Sequence, residues 1–177
     1  MIQLLGIDVP ADMLGRLAIA IAEAFRCECR VRPERLNVAS TRDPARNQYY
    51  STAILQAMQP LAEKGARLLA VTSLDLYVPV LTFVFGEAQL NGGCAVVSSH
   101  RLREEFYGLP GREELLWDRL VKEAVHELGH TFGLRHCDDW RCVMTSSHGV
   151  ERLDVKGAEF CEICAQAVMA ARVPAHA

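Results

Sequence analysis

The chain has 177 residues, half of them hydrophobic and 23% charged, which is typical of a soluble domain that can bury a sizeable core. A net charge of −3 and a pI near 6.1 give no reason to expect nucleic acid or an anionic membrane as a partner. No apolar run approaches the length of a membrane span, and the N-terminus lacks the basic segment and cleavage-like site of an export signal. We therefore expect a cytoplasmic protein, with a monomer favoured.

Predicted strands and helices alternate along the chain. In chain order they are a strand over 3–7, a helix over 11–25, a strand over 27–31, a polar loop over 37–46, a helix over 48–64, a strand over 67–72, strands over 81–85 and 94–98, a long helix over 113–134, a loop-like segment over 138–157 and a helix over 158–171. The run over 67–72 is apolar from Leu68 to Val71, a short buried-strand pattern expected in the middle of a mostly parallel sheet. The connection between 85 and 94 is too short for a crossover helix, so these two strands are predicted to be antiparallel, with one at the sheet edge.

These elements predict a single α/β domain over 1–177 with a mixed, mostly parallel sheet. Its sheet and main helices occupy about 1–134, and a loop-rich part follows over 135–177.

The segment from 126 to 136 reads His-Glu-Leu-Gly-His-Thr-Phe-Gly-Leu-Arg-His. Residues four apart lie on one helix face, so His126 and His130 can point at a single ion, and Glu127 can reach a metal-bound water without being a ligand. Gly133 allows the left-handed backbone that ends the helix, and the turn can return His136 as a third ligand. Three protein ligands leave one position open, which is typical of a catalytic zinc. The alternative is three satisfied histidines and an exposed helix carboxylate, which the register of all five residues disfavours.

Four cysteines follow as two pairs, Cys137 with Cys142 and Cys161 with Cys164. Two such pairs separated by a loop favour a closed structural zinc site, which would fasten the C-terminal segment beside the first site. Two disulfides, or four unrelated buried thiols, remain alternatives. Together the two sites predict two Zn²⁺ ions per chain, one catalytic and one structural.

Met144 lies between the cysteine pairs. A methionine in a tight turn after the third histidine forms an apolar floor under the metal in metzincins, although a lone methionine is more often core filler.

With these residues at fixed spacing, the sequence resembles the archaemetzincins, small zinc metallopeptidases that join the long metzincin motif to a four-cysteine zinc site. The resemblance extends upstream through 72–77, 83–88 and 95–98 followed by Arg101 and Leu102, and covers about 67–172. It implies a metzincin-like twisted five-stranded sheet, three main helices, an active-site helix, a Met-turn and a zinc cleft below the edge strand. Met144 is followed by Thr145 and Ser146, so the sequence provides no tyrosine there as a fifth ligand.

The resemblance implies a peptidase, and some members are described as aminopeptidases. We expect hydrolysis of peptide bonds by a zinc-activated water with Glu127 as general base. An extended peptide would pair with the edge strand, over 81–85 or 86–90. Two pairs of residues are weaker candidates. Tyr77 and Tyr107 are candidate oxyanion donors. Asp75 and Glu87 are candidate partners of a substrate α-amine, although solvated loop carboxylates are the simpler interpretation of both.

The remaining histidines and cysteines have no clear role in the sequence. His100, His148 and His176 lack partners at ligand spacing and are predicted to be surface groups, whereas Cys27, Cys29 and Cys94 are predicted to be buried thiols.

A different class of function also stays open, a zinc-dependent regulatory or peptide-binding module with little turnover. Retention of Glu127 argues against it, and the open metal position disfavours a purely structural metalloprotein.

Overall fold

The computed structural model describes residues 1–172 as a mixed α/β fold. The strands are β1 (Ile2–Ile7), β2 (Cys29–Val31), β3 (Arg42–Asp43), β4 (Gln48–Tyr50), β5 (Arg67–Thr72), β6 (Leu76–Tyr77), β7 (Gly86–Ala88) and β8 (Cys94–Ser98). The α-helices are α1 (Ala11–Phe25), α2 (Ser51–Met58), α3 (Glu113–Thr131), α4 (Val150–Val155) and α5 (Glu162–Arg172).

The main sheet has five strands in the order β2-β1-β5-β8-β7, and all its pairs are parallel except β7 with β8. This confirms the predicted mixed, mostly parallel five-stranded sheet. β5 and β8 lie in its interior, and five of the six residues of β5 are buried, as expected of a strand covered on both faces. β7 is an edge strand.

Helices cover both faces of this sheet. On one face, α1 packs its apolar stripe of Leu14, Leu17, Ile21 and Phe25 in the core that also contains Leu128 of α3. On the other face, the buried residues of α2 pack with alternate residues of β1, β5 and β8. The edge strand β7 therefore runs beside α3, the helix that contains His126 and His130.

The predicted helix over 48–64 is wrong at both ends. Its first three residues form β4, which pairs with β3 and β6 in a small second sheet, consistent with the β preference of two consecutive tyrosines. Its C-terminal end is limited by Pro60, because proline has no N–H to donate to the carbonyl of Gln56, four residues earlier. The helix accordingly ends at Met58 and continues as one 3₁₀ turn, Gln59–Leu61.

The predicted strand over 81–85 is also wrong. The antiparallel partner of β8 is β7, three residues long, and the preceding segment is irregular apart from one bridge between Val84 and Leu76. The guanidinium group of Arg46 donates to the carbonyls of Leu81 and Thr82, both at 2.9 Å, so side-chain donors satisfy backbone groups that a strand would have used.

Differences elsewhere are smaller. Strand β2 is shorter than predicted and α5 starts four residues late, while α4 interrupts the predicted loop over 138–157. Within residues 1–172, none of the helices combines the length and apolar composition needed to cross a bilayer.

Candidate active site

The three histidines of the 126–136 segment converge on one point. Their ring centroids are separated by 4.7, 5.3 and 5.1 Å, and one ligand atom from each lies within 4.8 Å of the others. His126 and His130 lie one turn apart on α3. Gly133, with φ of +89°, then ends the helical turn and redirects the chain, so that His136 returns to the same point. The local pattern in the sequence is thus sufficient to assemble this trio.

Hydrogen bonds set the orientation of two of these rings. His126 Nδ1 lies 2.8 Å from the Val143 carbonyl and His130 Nδ1 lies 2.7 Å from the Leu134 carbonyl. A nitrogen facing a carbonyl must carry the proton, which leaves Nε2 of each ring as a lone-pair acceptor. These two Nε2 atoms lie only 3.1 Å apart. Two opposed lone pairs repel each other unless a cation lies between them, and nitrogen ligands of a tetrahedral zinc stand about 3.3 Å apart.

The environment keeps these imidazoles neutral, the form that binds metal. Burial lowers the pKa of His126 well below its ordinary value, and it lowers the pKa values of His130 and His136 as well. The donor set, its tautomers and its spacing therefore fit a zinc ion held by His126, His130 and His136.

Glu127 lies in the wall of the same cleft. It is only 7% exposed, and burial raises the pKa of its carboxyl well above the ordinary value, an effect to which the neighbouring Glu123 adds. A bound zinc ion would act in the opposite direction, because a nearby cation favours the ionised carboxylate.

The backbone of Gly86 makes room for this carboxylate. A Cβ atom at Gly86 would lie 2.6 Å from Cγ of Glu127 and 2.7 Å from the Val96 carbonyl oxygen. Glycine is therefore required where the edge strand passes Glu127.

We expect Gly86→Ala to displace Glu127 or β7, lowering turnover and the free energy of unfolding by about 1–3 kcal/mol, since overpacking a tight site strains it. Chemical denaturation and peptide cleavage measure the two effects. Gly15→Ala is the matched control, because a Cβ at that helical position meets nothing within 4 Å and should raise stability by about 0.5–1 kcal/mol. Full activity and stability in Gly86→Ala would contradict the tight approach.

Met144 lies directly against the metal-site helix. It is fully buried, and a Cβ on Gly129 would be 2.4 Å from its sulfur. The preceding residue, Val143, supplies the carbonyl that orients His126. The position and contacts agree with the predicted Met-turn.

The four cysteines form a second cluster. The Sγ atoms of Cys137, Cys142, Cys161 and Cys164 all lie within 4.8 Å of one another, and those of Cys137 and Cys161 are 3.8 Å apart. Thiolates around a tetrahedral zinc at about 2.3 Å stand about 3.8 Å apart. All seven cysteines of the chain are free thiols in the structure, which therefore does not contain the two disulfides of the first alternative.

The cluster also has supporting hydrogen bonds. The backbone N–H of Cys161 donates to Cys142 Sγ at 3.3 Å, and the backbone N–H of Cys164 lowers the pKa of Cys161. Burial raises the pKa of Cys142 and of Cys164, so these thiols would stay protonated without a cation. A zinc ion deprotonates such ligands on binding.

The three histidines lie in a cleft of about 620 Å³ whose upper wall is β7. The cleft also contains two charged residues that were not singled out from the sequence, Glu123 and Arg135. The residues that line it are Leu81, Phe85, Gly86, Ala88, Leu90, Glu123, His126, Glu127, His130, Arg135, His136, Ser146, Ser147 and His148. Glu123 lies one turn before Glu127, a spacing that could have identified it from the sequence.

A buried ion pair supports the floor of the cleft. Lys156 Nζ lies 2.9 Å from Glu123 Oε1 and 3.3 Å from the carbonyl oxygen of Thr145, next to Met144. The side chains of Lys156 and Glu123 are 1% and 5% exposed. The pair therefore joins α3 to the Met144 turn.

Lys156→Met should lower the free energy of unfolding by about 3–5 kcal/mol, because it leaves the Glu123 carboxylate buried without a partner. The double variant Glu123→Leu with Lys156→Met should recover much of this loss, since it removes both charges. Denaturant unfolding measures both, and Lys64→Met, at an exposed lysine, is the control. A change near zero in Lys156→Met would show that the pair is not desolvated in solution.

The weaker sequence candidates lie outside the cleft. Asp75 receives two hydrogen bonds from Arg101, at 2.7 and 2.8 Å, and is therefore not a solvated loop carboxylate. Glu87 lies on the opposite face of β7, where it accepts hydrogen bonds from Ser51 and Thr52 at the start of α2. Its strand neighbours, Gly86 and Ala88, face the cleft instead.

The two tyrosines are also engaged elsewhere. The Tyr77 hydroxyl lies 3.4 Å from Asp43, and the Tyr107 hydroxyl donates to the Arg101 carbonyl at 3.0 Å. Neither lines the cleft, so neither is an oxyanion donor in this arrangement.

The isolated histidines have different surroundings. His148 is exposed, as predicted, yet lines the cleft. His100 is half-buried, with Nδ1 3.1 Å from the Ser73 carbonyl, and His176 lies outside the described residues. Cys94 is buried as predicted, whereas Cys27 and Cys29 are only partly buried.

Comparison with known proteins agrees with this geometry. The profile of Peptidase family M54 matches residues 45–170. The archaemetzincin of Methanocaldococcus jannaschii is 39% identical over 157 residues, which span 89% of this chain and 86% of that protein.

Solved structures are similar over nearly the whole chain. The archaemetzincin of Archaeoglobus fulgidus, crystallised in complex with malonate, is 37% identical with a TM-score of 0.81, covering 94% of this chain and 98% of that one. A zinc-dependent peptidase from Methanocorpusculum labreanum is 30% identical with a TM-score of 0.83, covering 95% and 100%. The chain therefore belongs to peptidase family M54, the archaemetzincins, and is a zinc metallopeptidase.

Proposed function

We propose that the protein hydrolyses peptide bonds with Glu127 as general base and with His126, His130 and His136 holding the catalytic metal. The observation that carries this proposal is the convergence of three neutral imidazoles and one buried carboxylate on an open cleft. A module that only binds zinc or a peptide would need no more than the three imidazoles. It would have no use for a buried carboxylate beside them.

A zinc ion held by the three imidazoles would lower the pKa of a bound water to near neutrality and would polarise the scissile carbonyl. Glu127 accepts a proton from the attacking water and passes it to the nitrogen of the departing amine. The two opposed effects on its pKa suit this double role, because burial favours the protonated carboxyl and the bound cation would favour the ionised base. The carbonyls of Val143 and Leu134 keep the proton of the first two imidazoles on Nδ1 throughout.

The substrate is proposed to bind as an extended peptide along β7. The Phe85 carbonyl and the Gln89 N–H are bonded to β8, so in this antiparallel ladder the backbone groups of Gly86 and Ala88 point away from the sheet. A peptide added as a further strand would use these groups and would place its backbone beside Glu127. The small side chains at both positions leave space for it.

The four-cysteine cluster is proposed to hold a second zinc, giving two ions per chain. This ion would fasten the segment that contains Met144 and α5 to the active-site region, and it would take no part in the chemistry because four thiolates leave no open position. We propose a peptide as the only class of partner, with no role for nucleic acid or a membrane surface, and a monomer acting in the cytoplasm.

Aminopeptidase action on short peptides was one expectation from the sequence. It requires a carboxylate that receives the α-ammonium group of the substrate. Within residues 1–172, the two candidates are bound elsewhere, Asp75 by Arg101 and Glu87 by the start of α2. We therefore propose cleavage inside a peptide rather than removal of single N-terminal residues.

Digestion of a peptide library by the zinc-loaded protein tests this function, with Glu127→Gln in parallel. Mass spectrometry of the products separates internal cleavage from loss of the first residue. Internal products that depend on Glu127 are expected. Equal product patterns from the two proteins, or no products with a fully zinc-loaded wild type, would contradict the proposal.

A further inference from the structure

Charge is distributed unevenly along the catalytic cleft. Apart from the histidines, the charged side chains that line it within residues 1–172 are Glu123, Glu127 and Arg135. Glu123 is neutralised by its buried ion pair with Lys156, and Glu127 has the role of general base. Arg135 is exposed and makes no side-chain hydrogen bond or ion pair with any residue that the structure describes. Among residues 1–172 it is the one charged group of the cleft without a protein partner or an assigned task.

The backbone on both sides of Arg135 is fixed by the metal site. The Leu134 N–H donates to the Gly129 carbonyl at 3.2 Å, the Leu134 carbonyl accepts from His130, and the Leu134 side chain is buried. The next residue is His136. The guanidinium group is therefore mounted on a rigid turn next to the reaction centre, while its five N–H donors remain available.

The direction of β7 places Arg135 at one end of the cleft. Gly86, at the start of the strand, lies against Glu127. The chain then runs towards the C-terminal end of α3, where the Asn91 N–H donates to the His130 carbonyl at 2.9 Å. Arg135 follows that end of the helix, whereas Glu123 lies one turn before Glu127. The cleft thus has a free cation at one end and a neutralised ion pair at the other.

From this arrangement we infer that Arg135 is a specificity-determining residue that binds a carboxylate group of the peptide close to the scissile bond. An arginine fork matches a carboxylate with two parallel hydrogen bonds, and a zinc ion in the same cleft adds further positive charge. A free α-ammonium group at this end would be repelled. The inference rests on the proposed peptidase function and narrows its substrate class to peptides with an acidic group near the cleavage site.

The carboxylate could belong to an aspartate or glutamate side chain or to the C-terminus of the peptide. The test therefore uses matched peptides cleaved by the wild type, with glutamate replaced by glutamine at each position, and with the C-terminal acid replaced by an amide. We expect kcat/KM to favour the acid over its neutral counterpart by about tenfold or more at one position, through KM. A preference only for the free C-terminus, or only for an internal acidic residue, supports the inference and identifies the source.

Arg135→Ala should bring the acid-to-neutral ratio close to one, and Arg135→Lys should restore it in part, because lysine keeps the charge without the fork. Arg112→Ala, at an exposed arginine outside the cleft, should leave the ratio unchanged. Zinc content and unfolding temperature of each variant show whether the site is intact. A wild type without preference for the acid, or an unchanged ratio in Arg135→Ala, would overturn the inference.

A binding measurement separates this inference from the proposed function. Fluorescently labelled versions of the same peptides are titrated with zinc-loaded Glu127→Gln. Their dissociation constants, measured by fluorescence anisotropy, do not depend on turnover. If the wild type cleaves no peptide, the proposed function fails, while the ratio of the dissociation constants for acid and neutral peptides still decides on Arg135. Equal constants would overturn the inference on their own.

Discussion

Replacing Glu127 by glutamine should lower kcat for peptide cleavage by a factor on the order of 10³ while leaving KM and zinc content nearly unchanged. The change removes the group that accepts and returns the proton, and general acid–base catalysis contributes about 10²–10⁴-fold. Because the variant keeps the three imidazoles and nearly the same side-chain volume, the metal and the fold should remain. Steady-state kinetics and metal analysis on one preparation measure these effects.

Glu114→Gln is the matched control for this variant. Glu114 lies on the same helix, in its exposed first turn, and is remote from the cleft. Its replacement should leave kcat unchanged. Retention of most activity in Glu127→Gln would contradict the assigned base, and loss of zinc from it would show that the carboxylate supports the metal site instead.

Replacing Cys161 by serine should remove about one zinc per chain and reduce stability more than it alters the chemistry. Structural zinc contributes about 10–16 kcal/mol of apparent binding free energy in small metal-dependent domains, and this energy is coupled to folding. A loss of even about 3 kcal/mol would lower Tm by about 6–12 °C in a domain of this size. The comparison requires zinc analysis, thermal unfolding and cleavage assays.

Cys27→Ser provides the reference for this experiment. Its thiol is partly buried against the core but lies outside the four-cysteine cluster, so zinc content should not change. If Cys161→Ser keeps both zinc ions and the wild-type Tm, the cluster does not hold a structural metal.

The two candidate ligand clusters could be predicted as clusters because the geometry that brings their residues together is local. His126 and His130 are one helical turn apart, and Gly133, three residues before His136, allows the chain to return that histidine to the same point. The spacing of the two cysteine pairs likewise predicted that the four thiols form a cluster. This cluster lies next to the third histidine because Cys137 directly follows His136. The central strands were predictable for a similar reason, since β5 is nearly continuously apolar.

Features that depend on distant contacts were not predictable. Lys156 meets Glu123 across 33 residues, and no pattern in the sequence pairs them. Arg46 satisfies carbonyls more than 30 residues away and so prevents the predicted strand over 81–85. Glu87, for which a solvated loop carboxylate was the simpler prediction, lies in the edge strand and is bound by Ser51 and Thr52, more than 30 residues earlier in the chain. Arg135 stood within the motif, yet its freedom from partners is visible only in the folded structure.

Anomalous X-ray scattering at the zinc edge, from crystals of the protein purified with zinc, tests the metal geometry directly. Two peaks per chain are predicted, one between the Nε2 atoms of His126 and His130 with His136 completing the set, and one among the four sulfur atoms. Rings that diverge from one another, with no peak between them even in excess zinc, would contradict the assignment of this cleft as a metallopeptidase site.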